Sequence, residues 1–98
     1  MTVRPSSGWA FTSVNGSPWI LSSLTIEAPQ GGGINSDAYS HILGRDLRFG
    51  QVSGDELNCQ VLAQHGALYE HIGGPPAISG GGWCHAYAHL GGMIKLQG

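Results

Sequence analysis

Glycine limits what this chain can become more than any other feature. Of the 98 residues 17 are glycine, and many fall in runs: GGG at 31–33, GG at 73–74, GGG at 80–82 and GG at 91–92. Glycine inside a helix or strand costs roughly 0.5–1 kcal/mol relative to alanine, so such runs end regular elements. The stretches left between them are short, and short elements with turn signals roughly every ten residues are the pattern of an all-β domain. Ninety-eight residues make one domain with a small core. The fold expected is mainly β: a small antiparallel β-sandwich or barrel-like domain over 8–98, preceded by an N-terminal arm at 1–7.

Individual segments support that expectation. GWAFTSV, then NGS, then PWILSSLTIEA read as strand, tight turn and strand, because Asn15-Gly16 tolerates the positive φ of a type I′ hairpin. Residues 29–37 (PQGGGINSD) read as a loop. AYSHIL and RDLRFGQV read as short strands, with Ser36 or Asp37 as an alternative cap for a single helical turn. ALYEHI and MIKLQ read as strands, and GGPPAISGGG as a long loop between them.

Residues 54–65 carry two competing signals. Ser53 and Glu56 form a capping box, with Val52 and Leu57 placed as a hydrophobic staple. Yet Leu57, Cys59, Val61 and Ala63 alternate as in a strand. The caps favour one short helix near 54–65. No periodic repeat of solenoid length stands out along the chain.

WCHAYAHL alternates with period two. Trp83, His85, Tyr87 and His89 fall on one face, and Cys84, Ala86, Ala88 and Leu90 on the other. A Tyr-x-His pattern recurs at Tyr39 and His41, Tyr69 and His71, and Tyr87 and His89, each followed by Ile or Leu. On a strand each pair shares a face. These eight residues (Trp83, His85, Tyr87, His89, Tyr39, His41, Tyr69 and His71) are the candidates for an interface or ligand surface. Tyr and His join an apolar body to a polar tip, which suits half-buried faces and subunit contacts. The histidines at 41, 71, 85 and 89 also raise metal binding, since imidazole ligates Zn, Cu, Ni or Fe. Against that, residues four apart on a strand lie roughly 13 Å apart, and the spacings match no finger or ribbon. No cofactor is expected.

Chemistry finds little support. Adjacent Cys84 and His85 point to opposite faces of a strand, so they cannot form a thiol–imidazole pair. GxSxG, HExxH and Walker motifs are missing from the sequence. The acidic pair Asp55-Glu56 fits a helix start. No catalytic residue is assigned and no enzyme is expected. Cys59 and Cys84 could pair but are read as free, buried small hydrophobes, because no secretory leader is visible and the chain is expected to be cytoplasmic at synthesis.

Charge narrows the partners. Only four basic residues (Arg4, Arg45, Arg48 and Lys95) face six acidic ones, for a net charge of −2. That excludes the phosphate neutralisation nucleic-acid binding needs, and no run is long and apolar enough for a membrane span. A surface so poor in charge suits burial against copies of itself or other structural proteins. The leading expectation is a non-enzymatic structural or interaction module, in a homo-oligomer or larger particle; the composition resembles that of small phage virion components of decoration or tail type. A small carbohydrate-binding module using Trp9, Trp19 and Trp83 is the alternative, and a metal or Cys/His-dependent protein the second.

Overall fold

The computed structural model describes residues 1–15, 18–74 and 76–96. The strands are β1 (Thr2–Val3), β2 (Phe11–Val14), β3 (Trp19–Ala28), β4 (Ile34–Asp37), β5 (His41–Val52), β6 (Cys59–Gln64), β7 (Leu68–Ile72), β8 (Ala77–Ile78), β9 (Cys84–His89) and β10 (Met93–Leu96). Every pairing among the described residues is parallel. The antiparallel sandwich or barrel is therefore overturned: the chain is a β-solenoid-like coil.

Each strand pairs with one a full turn away. Ser23 and Asp46 meet 23 residues apart, Asp37 and Gln64 27 apart, Cys59 and Cys84 25 apart. Returns of that length are what parallel pairing requires, since a tight turn can join only antiparallel strands. A structural repeat does exist, contrary to the sequence reading. Its unequal rungs and its lack of a shared residue motif hide it.

Three ladders form. The first face stacks β2, β4, β6 and β9. The long strands β3 and β5 each change direction at one residue with positive φ, Ser23 (57°) and Asp46 (50°). These two residues stack, and the Ser23 hydroxyl donates to the Asp46 carboxylate at 3.1 Å. Gly73, the next position on that line, also has positive φ (82°). The second face holds the first arms of β3 and β5 with β7 and β10. The third holds β1, the second arms of β3 and β5, and β8.

The corner between the first and second faces repeats a local conformation. Asn15 (46°), Ala38 (47°), His65 (56°) and Leu90 (51°) all have positive φ, and Tyr39 (64°), Gly66 (76°) and Gly91 (81°) follow them with the same sign. The hairpin expected at Asn15-Gly16 is thus a corner. Asn15 does adopt the left-handed conformation, but β2 and β3 then enter different sheets. Gly16 lies outside the described residues, as does Gln97 of the expected last strand.

No helix occurs over 54–65; β6 occupies Cys59–Gln64. The capping signal is satisfied locally, the Asp55 N–H donating to the Ser53 hydroxyl. The alternating residues win because they can be buried between rungs: Cys59, Val61 and Ala63 are at most 4% exposed. The cysteines are not free either. Cys59 lies directly against Cys84 in the ladder, and the two form a disulfide. Stacking brought together residues that the sequence holds a whole rung apart.

The core runs along the axis between the faces. Leu21, Ile26, Ile34, Ile42, Leu47, Phe49, Val61, Ala63 and Tyr69 form one buried cluster. Side chains stack in register, as in Trp19, Ile42, Tyr69 and Ile94. Several buried polar groups are paired: Ser36 donates to the Leu68 carbonyl, Ser40 to that of Ser13, and the Gln60 amide to those of Gly50 and Gly81, whereas the buried Asn35 Oδ1 has no partner among the described residues.

Candidate interaction surfaces

β9 is the last strand of the first face, and among the described residues β6 is the one strand paired with it. Period-two geometry turns Cys84 toward its disulfide partner and sets His85, Tyr87 and His89 on the opposite side. Trp83 and Tyr87 meet edge to face, with ring centroids 5.5 Å apart, and Tyr87 lies 4.8 Å from the His89 ring. Both Trp83 and Tyr87 are exposed. This row of rings is the one place where several singled-out residues come together.

Two glutamines of β6 hold the row in place. His85 Nδ1 donates to Gln60 Oε1 at 3.1 Å, because the Gln60 amide nitrogen is already committed to backbone carbonyls. His89 Nε2 lies 2.6 Å from Gln64 Oε1, and the Gln64 amide donates to Asp37 at 3.2 Å. Asp37 also receives His65 Nδ1 at 2.5 Å and the Ala38 N–H. A chain of polar contacts therefore crosses three rungs beside the corner. Gln60, Gln64, Asp37 and His65 were not among the surface candidates read from the sequence. Their only signal would have been the column they share, visible once the rung lengths are known.

The other candidates disperse. Tyr39 sits on the corner at 80% exposure, its ring over the space a Gly66 side chain would need. His41 opens β5 and faces Glu70 at 3.3 Å. Tyr69 and His71 are buried in β7, where the Tyr69 hydroxyl and His71 Nδ1 are 3.0 Å apart. Burial drives the Tyr69 phenol well above its ordinary value and lowers the His71 imidazole. His41 and His71 lie on the second face, His85 and His89 on the first, so the four do not converge. Among the described residues no three His, Cys, Asp or Glu side chains are placed to hold a metal ion.

A second surface emerges from exposure. On the opening strands, Val14, Trp19 and Ile20 face solvent, Ile20 at 71%. On the closing strands and their flanks the exposed large apolar residues are Ile78, Leu90, Met93 and Leu96, beside the Trp83 and Tyr87 rings. On the interior rungs only Tyr39 is comparably exposed among the described residues. The exposed apolar side chains are thus gathered at the two ends of the coil.

Against known proteins, the chain matches no family model, no curated protein and no solved structure. The class of the molecule accordingly rests on its own geometry: a short parallel β-solenoid-like domain.

Proposed function

We propose that this chain is a non-enzymatic structural and interaction module that works through the two ends of its coil, within a homo-oligomer or a larger assembly. The observation that supports this reading is the gathering of exposed apolar residues at the ends. Repeat proteins ordinarily close with terminal units whose outer face is polar, which keeps them soluble and single. Here Leu90, Met93 and Leu96 at one end and Val14 and Ile20 at the other do the reverse. Among the described residues no strand pairs with the outer edges of β9 and β10, which lie beside them, and such edges recruit further strands. Light scattering coupled to size exclusion, over rising protein concentration, tests the reading. It expects a mass above 10.2 kDa that grows with concentration. A strict monomer at every concentration overturns it.

The Trp83–Tyr87–His89 row supports a second reading, a carbohydrate-binding surface. Exposed rings stack on sugar faces, while His89 and Gln64 would supply hydrogen bonds at their border. Titration with glycans, followed by tryptophan fluorescence and compared with Tyr87→Ala, separates this reading from the first.

A further inference from the structure

We propose that the occupant of each end is the opposite end of a second copy, stacked head to tail in a single register so that the solenoid continues from chain to chain. This rests on the assembly reading above and names its partner.

The first argument is the order of the faces. The chain visits first, second and third faces in turn and then begins again. Its last described strand, β10, lies on the second face, so the next strand of the coil belongs to the third. β1, the first strand of the chain, is a third-face strand. A following copy therefore sets its β1 beside β8, where the described chain has no fourth-rung strand. It sets its β2 on β9, and the first arm of its β3 on β10. Each of the three ladders has four strands among the described residues, so the joint adds a complete rung with none missing or doubled.

The second argument is register. The ladder opened by Phe11 closes at Ala86, that opened by Trp19 at Ile94, and that opened by Thr2 at Ala77. The interval in sequence is the same on all three faces, so one rigid placement satisfies all of them. In that placement Ala86 covers Phe11 of the next copy, Ile94 covers Trp19, Leu96 covers Leu21 and Ile78 covers Val3. Small meets large or apolar meets apolar at each. The long stem of Lys95 lies over Ile20, leaving its ammonium free to reach water.

The corner supplies the third argument. The Tyr39 N–H donates to the His65 carbonyl of the next rung, and the Gly66 N–H to that of Leu90. Gly91 is the next residue on this line, and the Asn15 carbonyl of the following copy takes the place of the acceptor. A two-fold contact between like ends would make the strands antiparallel and break this corner line. The head-to-tail contact is heterologous and does not close on itself, so it builds an open filament.

The test uses two end-blocked full-length chains, with thermal melting to confirm that each folds. One carries Met93→Asp with Leu96→Asp, the other Val14→Lys with Ile20→Lys, since a lysine at 20 meets Lys95 of a stacked copy as like charge; Met93→Lys with Leu96→Lys and Val14→Arg with Ile20→Arg provide a second set. Wild type is expected to give a broad, concentration-dependent mass distribution. Each blocked chain alone is expected to be monomeric, and an equal mixture to stop at a one-to-one dimer through the two unblocked ends. Homodimers of the Val14/Ile20 variant alone would show tail-to-tail pairing and overturn this proposal while leaving the assembly reading standing. A mixture that stays monomeric, while wild type associates, also overturns it. A wild-type chain that is monomeric throughout overturns both.

Discussion

β6 and β9 lie side by side on the same face, with Cys59 against Cys84, Val61 against Ala86, Leu62 against Tyr87 and Ala63 against Ala88. Their burial differs sharply. β6 has a strand on either side, and Leu62 and Ala63 are all but inaccessible; β9 has one, and Tyr87 and Ala88 are exposed. The alternation of side chains is the same in both strands. A residue's burial in a solenoid is therefore decided as much by the rung above it as by its own face. The end rung leaves exposed the positions that a further rung would bury.

Truncating matched positions should break this symmetry most plainly. Leu62→Ala is expected to cost about 2–5 kcal/mol, the range for emptying a buried leucine site. Tyr87→Ala, at the same position one rung on, should cost less than about 1 kcal/mol in the monomer, because its ring is already partly in water. Urea denaturation of both variants at low protein concentration checks the pair, and equal losses would contradict the distinction between interior and end.

The disulfide links the two strands being compared, so removing it sharpens the contrast. It closes a loop of 25 residues, for which chain entropy alone gives about 3.5 kcal/mol. Cys59→Ser with Cys84→Ser should lower the melting temperature and speed amide exchange in β9 and β10 far more than in β4. Uniform loss of protection would mean that the end rung has no independent stability to lose.

The smallest effect concerns pH and belongs to the interior. His71 is buried with its imidazole below the ordinary value near 6.5. The unfolded chain therefore takes up that proton first, so the contribution is complete above about pH 6.5 and is lost as pH falls. Tyr69, raised above its ordinary value near 10, has the opposite sign, and its contribution fades as pH rises beyond that point. Stability should thus peak between these limits, and His71→Asn should flatten the acid side. An unchanged acid limb in that variant would assign the loss to other groups.

Much of the local structure was legible. Strands were expected over most of the segments that form them, and the alternation read over 84–89 is that of β9, although Leu90, read onto its apolar face, is a left-handed corner residue instead. The left-handed residue at Asn15 was also visible, because asparagine followed by glycine favours positive φ. Its use was not. A left-handed residue serves a hairpin or a solenoid corner equally well, and the equivalents of Asn15 are three different residues, Ala38, His65 and Leu90, of which the last two are followed by glycine and Ala38 by Tyr39. The helix expected at 54–65 failed similarly: the Ser53 turn formed, but burial of Cys59, Val61 and Ala63 between rungs outweighed it. For the candidate surface, the aromatic row of β9 was visible as a row. The apolar ends were not, since Leu90, Met93 and Leu96 look like ordinary core residues until their rung proves to be the last.

By itself the sequence determined that the chain is rich in strands, where several of them lie and the alternation of side chains along those. These depend on neighbours within a few residues, through backbone sterics and period-two geometry. Only the tertiary structure decided that the strands run parallel, that Cys59 meets Cys84, and that β9 and β10 form an edge. Each of those facts depends on which segment returns to lie beside another after a full turn, and no local preference encodes that.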